Sequence, residues 1–159
     1  MERREFFRVA GLTLASLGLL GLGSRGAGAM TVRSIAPLAP RRDGRAEEKH
    51  YPLPVADGVS IDKDNSVIVA RAAGKVYAFS LACPHQNTAL RWDDGDHEFI
   101  CPKHKSHYRA DGTFIEGRST RAMDRMAIRR AGAEIIVDID KLLQEDDNLA
   151  EWTAAFVTV

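Results

Sequence analysis

Short runs of β-branched and aromatic residues fill the middle of the chain. Residues 66–71 and 76–81 flank a glycine-containing turn, which predicts a β-hairpin. Shorter runs separated by Asp-Gly or Ala-Gly turns cover residues 90–92, 98–100, 113–115, 126–129 and 134–138. Strands of this length and spacing predict an all-β fold, an antiparallel sandwich or barrel.

The end of the chain has a different period. Leu149, Trp152, Phe156 and Val157 recur at the i, i+3, i+7 and i+8 positions of a helix. This spacing predicts a short C-terminal helix packed on the β domain. A final strand at residues 154–159 is the alternative interpretation.

The first 29 residues have the layout of a signal peptide. A charged start is followed by uncharged residues 9–24, and small residues at 27–29 offer a cleavage site. An uncleaved membrane anchor is the alternative, but 16 helical residues reach only about 24 Å, short of a hydrocarbon core of about 30 Å.

The charged start also resembles the twin-arginine motif of a bacterial export route for folded, cofactor-loaded proteins. It carries the sequence Arg3-Arg4-x-Phe6-Phe7-Arg8. The resemblance implies a location in the periplasm or at the outer face of the cytoplasmic membrane, with membrane association through the N-terminus left open. The predicted organisation is a twin-arginine signal at 1–29, a linker at 30–50, a β domain at 51–140 and a helical extension at 141–159.

Composition narrows the classes of partner. Apolar residues make up 45% of the chain and charged residues 28%, which is typical of globular proteins. Lysine plus arginine equals aspartate plus glutamate at 22 each, and no basic stretch is interleaved with aromatics. We therefore predict no nucleic-acid partner.

The strongest chemical signal is a pair of Cys/His motifs, each placed where a predicted strand ends. They are Cys83-x-His85 and Cys101-x-x-His104, with 15 residues between them. A hairpin between the motifs would bring their loops together, so that two thiolates and two imidazoles converge.

Three interpretations account for these residues differently. A disulfide between Cys83 and Cys101 is permitted outside the cytoplasm but leaves the histidines unexplained. Structural zinc suits two cysteines and two histidines, although its usual spacing keeps like ligands together. A [2Fe–2S] cluster with two cysteines on one iron and two histidines on the other needs one thiolate and one imidazole per loop.

The two motifs and their spacing resemble those of the Rieske iron–sulfur family. The resemblance implies a Rieske-type fold with two cluster-binding loops, and one [2Fe–2S] cluster bound by Cys83, His85, Cys101 and His104. Neutral imidazoles raise the potential of such a cluster to between about −150 and +300 mV. The ligand histidines are also expected to release protons when the nearby iron is oxidised.

Further positions refine what the resemblance implies. Ser106 and Tyr108 match hydroxyls that donate hydrogen bonds to cluster sulfur in high-potential members, which favours a high potential. The departures disfavour quinol oxidation. Thr88 and Lys103 stand where respiratory subunits have a disulfide, Gln86 replaces an apolar residue, and the downstream segment at 117–120 lacks proline.

The sequence thus predicts an exported one-electron carrier that serves redox partners such as a cytochrome or an oxidoreductase subunit. The alternatives are the iron–sulfur subunit of a quinol-oxidising cytochrome complex or of a molybdenum oxidase, and a structural zinc module. His50, His97 and His107 are predicted to be non-ligands, and Tyr77 and Trp92 to be core residues. A solvated β face, or alternatively a docking patch for an acidic redox partner, is predicted for Arg118, Arg121, Arg125, Arg129 and Arg130.

Overall fold

The computed structural model describes residues 46–159. The predicted signal segment and most of the predicted linker lie outside the described residues. In chain order the strands are β1 (Glu48–Pro52), β2 (Gly58–Asp62), β3 (Val67–Ala72), β4 (Lys75–Ser80), β5 (Arg91–Asp93), β6 (Glu98–Ile100), β7 (His107–Arg109), β8 (Phe114–Glu116), β9 (Arg125–Ala131), β10 (Glu134–Leu143) and β11 (Val157–Thr158). A helix, α1 (Leu149–Ala154), lies between β10 and β11.

The larger sheet has the strand order β1-β10-β9-β4-β3-β2, with β11 paired to β4. Its centre is the β3–β4 hairpin, in which residues 67–70 and 76–80 are buried one after another. Since neighbouring residues of a strand point to opposite faces, consecutive burial means that both faces of the hairpin are covered.

Two apolar clusters cover these faces. Ile68 and Phe79 belong to the cluster that includes the smaller sheet and both cysteines. Val67 and Val69 belong to the other cluster, which they form with residues of β9 and β10. The larger sheet therefore curls into a half-barrel around the second cluster and carries the site-bearing part of the chain on its other face.

The smaller sheet, in the order β5-β6-β7-β8, is inserted in the chain between β4 and β9. Each of its strands has three residues. Phe99 at the centre of β6 and Tyr108 at the centre of β7 are fully buried. The ring of Phe99 contacts that of Phe79 at 5.8 Å between centroids, which ties the smaller sheet to the larger one.

The predicted all-β fold is confirmed, and so is the hairpin at its centre. The turn between β3 and β4 consists of Ala73 (φ 49°) and Gly74 (φ 73°), both in the left-handed region. Two left-handed residues in a row give the turn whose twist matches that of the flanking strands.

Three strands were not predicted. β1 and β2 are the two edges of the larger sheet. β1 carries two charged residues, as edge strands often do, and β2 begins with a glycine and has only two apolar residues. β7 has three residues and follows directly on a Cys/His motif, so it offers too short a pattern to recognise. β1 begins at Glu48 and β10 ends at Leu143, so both predicted boundaries of the β domain fall inside strands.

The C-terminal residues contain both a helix and a strand. The helix starts after Asn148, whose side chain accepts a hydrogen bond from the backbone N–H of Glu151 at 3.2 Å. It buries Trp152 and ends at Ala154, so the prediction that Val157 extends the helix is wrong. Val157 instead pairs with Val76 of β4. Within residues 46–159, no helix is long and apolar enough to span a bilayer.

The predicted solvated arginine face is wrong for Arg125, which is 4% exposed. Its guanidinium lies 3.7 Å from the centroid of Trp152 and 4.7 Å from that of Tyr77. It donates hydrogen bonds to the carbonyl oxygens of Trp152 at 2.7 Å and Asp111 at 2.8 Å. Arg125 thereby fastens α1 to the β domain.

Candidate metal centre

Two loops bring the Cys/His motifs together. The first loop (residues 82–90) joins β4 to β5, and the second loop (residues 101–106) joins β6 to β7. Because β5 and β6 are antiparallel neighbours, the two loops leave the smaller sheet at the same end. The predicted convergence of the two loops follows from this pairing.

The backbones of the two loops repeat each other. In the first loop the N–H of Cys83 donates to the carbonyl of Thr88, and the N–H of Asn87 donates back to the carbonyl of Cys83, both at 2.9 Å. The second loop has the same two bonds, from Cys101 to Ser106 at 2.9 Å and from Lys105 to Cys101 at 3.0 Å. Each cysteine therefore anchors a closed turn of the same size.

The fourth residue after each cysteine is left-handed. Asn87 has φ 50° and Lys105 has φ 54°. Asparagine visits this region more readily than most residues, whereas lysine does so at a cost. The repeated conformation turns the chain back toward the core, where the next residue of each loop, Thr88 or Ser106, is buried.

The two motif histidines contact each other. Nδ1 of His85 lies 3.2 Å from Nδ1 of His104, and both side chains are partly exposed. Partial burial lowers the pKa of His104, and the positive charges of His85, Arg118 and Lys103 lower it further. Both effects favour the neutral imidazole, which is the form that binds metals.

The two cysteines lie deeper than the histidines. Cys83 and Cys101 are 0% and 1% exposed and carry free thiols, so the disulfide alternative does not describe this structure. Burial raises the pKa of the Cys83 thiol, and the neighbouring Cys101 raises it further. Two adjacent buried thiols favour a bound cation that would compensate their charge once they ionise.

These four side chains fit an asymmetric metal group. The thiols neighbour each other in the core and the imidazoles neighbour each other toward the surface, with one of each from either loop. Two nitrogen ligands about 2.1 Å from one tetrahedral metal would lie roughly 3.4 Å apart, close to the 3.2 Å between the Nδ1 atoms. The donor set thus suits one iron held by sulfur and another held by nitrogen.

Ser106 receives two hydrogen bonds from a third loop (residues 117–120). Its Oγ accepts from the backbone N–H of Arg118 at 3.1 Å and from that of Ser119 at 3.0 Å. A hydroxyl has two lone pairs and one proton, so these two bonds leave the proton of Ser106 for a further acceptor, and the Tyr108 hydroxyl is one within hydrogen-bonding reach.

Tyr108 brings a second hydroxyl to the thiols. Its side chain is fully buried, and its oxygen lies 3.4 Å from Sγ of Cys83. Burial raises the pKa of Tyr108 strongly, and the hydrogen bond with Cys83 raises it further. The phenol therefore keeps its proton and can donate to the sulfur across the neutral pH range.

Gly117 allows the third loop to approach the second. It has φ 113°, and a Cβ atom at this position would collide with the carbonyl oxygen of Lys105 and the Cα of Ser106. In the sequence this segment stands out only by its lack of proline. Neither this contact nor the hydrogen bond from the Ser119 N–H to Ser106 has a local sequence signal, because each joins the third loop to the second loop, more than ten residues away.

The remaining histidines are exposed or hydrogen-bonded to carboxylates. His107 bonds Glu98 at 2.9 Å, and His50 bonds Glu134 at 3.1 Å. His97 is exposed next to Trp92, at 6.2 Å between ring centroids. Tyr77 and Trp92 pack with the apolar cluster around the cysteines, as expected of core residues.

The chain belongs to the Rieske [2Fe–2S] domain family, whose model matches residues 46–131, more than half of the chain. Proteins of this family carry one [2Fe–2S] cluster per domain. This membership selects the iron–sulfur cluster over the structural zinc and disulfide alternatives.

The relatives of this chain include iron–sulfur subunits of the cytochrome b6-f complex. The subunit from Chlorobaculum thiosulfatiphilum is 30% identical over 74 residues, which are 46% of this chain and 41% of the relative. The subunit from Prochlorococcus marinus subsp. pastoris is 29% identical over 82 residues, or 50% of this chain and 42% of the relative. The chain thus spans less than half the length of these curated relatives.

Among solved structures, the plasma membrane Rieske protein PetC3 from Synechocystis PCC 6803 is similar. The match has a TM-score of 0.42 and 23% sequence identity. It covers 50% of this chain and 82% of that protein.

Proposed function

We propose that Cys83, His85, Cys101 and His104 hold the cluster of this Rieske domain and that the protein works as a one-electron carrier. The observation that carries the proposal is the layered pairing of the two loops, with neighbouring thiols in the core and the imidazoles 3.2 Å apart nearer the surface. A bound [2Fe–2S] cluster supplies reversible one-electron chemistry.

The residues around the site have different proposed roles. Burial of both cysteines excludes water from the thiolate side, whereas the partly exposed histidines bring the other side within reach of a redox partner. The Tyr108 hydroxyl lies 3.4 Å from Sγ of Cys83, and we propose that it donates to sulfur there, as the family resemblance also implies for Ser106. Such donors favour the more negative, reduced state of a cluster. Proton release by the ligand histidines stays a prediction.

The proposed place of action is the periplasm or the outer face of the cytoplasmic membrane. The support is the signal-like segment at residues 1–29 with Arg3 and Arg4. Export of the folded, loaded protein would also protect the two free cysteines, because an unfolded chain would expose them to an oxidising compartment.

A second candidate is a subunit of a membrane quinol-oxidising complex, a role favoured by the printed names of the curated relatives. Gln86 argues against it, since this exposed polar side chain stands where the family's quinol-oxidising members have an apolar one. Copurification with a membrane cytochrome, together with quinol-dependent reduction, would replace the carrier proposal by this one.

The test is metal and sulfide analysis with EPR on the purified protein. We expect two irons and two acid-labile sulfides per chain and, after reduction, the low average g value of histidine-ligated clusters. His104→Ala should lose this signal. His107→Ala is the matched control, because His107 bonds Glu98 instead, and it should keep the signal. Zinc in place of iron, or an unchanged cluster in His104→Ala, would contradict the proposal.

A further inference from the structure

The three loops around the histidine pair carry positive charge and no negative charge. Residues 82–90, 101–106 and 117–120 include Lys103, Lys105 and Arg118 but neither aspartate nor glutamate. All three basic side chains are exposed, and none forms an ion pair with any residue in the range 46–159. We call Lys103, Lys105 and Arg118 the basic rim.

The basic rim lies at the histidine end of the site. Lys103 and Lys105 flank His104 in the sequence. Arg118 follows Gly117, which packs against Lys105, and its backbone N–H bonds Ser106. The rim therefore lies next to the partly exposed imidazoles on the outer side of the site.

The rest of the domain has the opposite charge. Residues 46–159 contain 14 lysines and arginines and 19 aspartates and glutamates, a formal charge of −5. Without the three rim residues, 11 basic residues face 19 acidic ones, a formal charge of −8. The rest of the domain, which we call the acidic body, is thus net negative, whereas the three loops that include the histidine pair are net positive.

We propose that the basic rim is the docking surface for a small acidic electron-transfer protein. This proposal rests on the carrier function proposed above and adds the kind of partner that the carrier serves. The rim attracts an acidic patch on the partner, while the acidic body repels it elsewhere. The two effects together raise the association rate and orient the partner's redox centre toward His85 and His104.

The composition of the rim favours a protein over a membrane. The exposed large apolar side chains of residues 46–159 are Val55, Ile115, Leu142 and Leu149, and none lies in the three loops. A surface that inserts into lipid pairs basic residues with exposed apolar ones, whereas here the exposed neighbours of the histidines are Gln86 and Asn87. Three isolated charges suit a short-lived encounter with a soluble partner.

The experiment uses the loaded protein and two forms of one partner. The partner is a basic c-type cytochrome, either unmodified or with its lysines succinylated, so that the haem is the same and the surface charge is reversed. Electron transfer is followed by stopped flow at ionic strengths of about 0.01 M and about 0.15 M, between which the Debye length falls from ~30 Å to ~8 Å. A redox titration of each cytochrome form corrects for its driving force.

We expect the succinylated cytochrome to react at least about tenfold faster than the unmodified one at low ionic strength, and to lose most of this advantage at the higher ionic strength. The rim variant Lys103→Gln, Lys105→Asn, Arg118→Gln should lose most of the advantage at low ionic strength. Asparagine is chosen at 105 because it tolerates the left-handed conformation.

The matched control removes three exposed positive charges outside the basic rim, by Lys63→Gln, Arg130→Gln and Lys141→Gln. This control variant should react faster with the succinylated cytochrome than the rim variant does. The EPR signal and midpoint potential of both variants verify an intact cluster.

Equal rates with both cytochromes, or a rim variant that matches the control, would overturn the docking proposal alone. Binding to phosphatidylglycerol vesicles that is lost in the rim variant, without a preference for the succinylated cytochrome, would replace it by a membrane surface. A protein without the EPR signal would remove the carrier function itself.

Discussion

Two buried hydroxyls at the candidate site differ in what fixes their protons. Both lone pairs of the Ser106 oxygen are taken by backbone N–H groups of the third loop, so its proton points elsewhere. The Tyr108 proton is retained because burial raises the pKa of the phenol. The Tyr108 hydroxyl is therefore placed to donate to the Cys83 sulfur, and the Ser106 hydroxyl lies within hydrogen-bonding reach of Tyr108. Each hydroxyl can be removed by one substitution.

Tyr108→Phe should lower the midpoint potential and leave the fold intact. The substitution removes the hydroxyl 3.4 Å from Sγ of Cys83 and keeps the ring that packs on Phe114. A hydrogen bond to a charged group is worth about 1.5 kcal/mol or more, which corresponds to ~60 mV for one electron if it is felt only in the reduced state. We expect a fall of several tens of mV in an EPR-monitored redox titration.

Tyr51→Phe is the matched control for Tyr108→Phe. Its hydroxyl bonds Asp62 at 3.0 Å, away from the two loops, so the potential should stay at the wild-type value. Equal potentials in the wild type and both variants would show that the Tyr108 hydroxyl does not tune the site.

Ser106→Ala should lower both the midpoint potential and the thermal stability. Besides the proposed donor to sulfur, it removes the acceptor of two backbone N–H groups, and the N–H of Ser119 is buried. An unpaired buried donor costs about 1–3 kcal/mol, so we expect the melting temperature to fall by several degrees. Ser60→Ala, at an exposed position of β2, should change neither quantity. An unchanged potential in Ser106→Ala would exclude its proposed donor role.

The metal-ligand candidates could be predicted from the sequence because each motif lies within one short segment, where spacing alone limits the chemistry. The residues that shape the loops could not. Asn87 and Lys105 are left-handed because each loop turns back to bury its next residue. A lysine gives no sequence signal for this conformation. Gly117 matters through contacts with Lys105 and Ser106, which only the folded chain supplies.

Among the elements, the third loop depends most on a single residue. The chain must pass close enough to the second loop for two of its N–H groups to reach Ser106. Gly117 meets this requirement through its positive φ and its missing side chain.

Gly117→Ala should destabilise the protein by about 3 kcal/mol or more. The cost combines the positive φ, about 1–2 kcal/mol for an L residue, with an overpacked contact of about 1–3 kcal/mol. Gly132→Ala separates the two terms, because Gly132 has φ 63° but nothing within 4 Å of the added Cβ. Urea unfolding of both variants measures the difference, and equal destabilisation would mean that the loops can separate without cost.

Element prediction succeeded where burial leaves a local pattern. The β3–β4 hairpin is apolar at consecutive positions because both of its faces are covered, and its turn supplies two left-handed residues. It failed at the edges, where β1 carries charges, and at the C-terminus. There Val157 continues the helical spacing of Trp152, yet the sheet offers it a pairing position beside Val76.

At the scale of the whole molecule, the site depends on contacts between distant parts of the chain. The loops lie in the insertion between β4 and β9, while β1 closes the sheet by pairing with β10, as Glu48 does with Asp138. The insertion that carries the loops is thus flanked by sheet strands from both ends of the domain. If the protein is exported as proposed, insertion of the cluster before export would take place in a compartment where the thiols stay reduced.

If residues 1–29 are a twin-arginine signal, as proposed, export depends on Arg3 and Arg4. Arg3→Lys with Arg4→Lys keeps the charge of the leader but changes the residue pair that resembles the twin-arginine motif. We expect the double variant to accumulate in the cytoplasm as a folded precursor that contains its cluster. Cell fractionation, immunoblotting and EPR of the cytoplasmic fraction measure this outcome. Arg25→Lys, the same exchange beyond the uncharged stretch, should be exported normally. Normal export of the double variant would instead point to a route for unfolded chains, which would require the cluster to be inserted outside the cytoplasm.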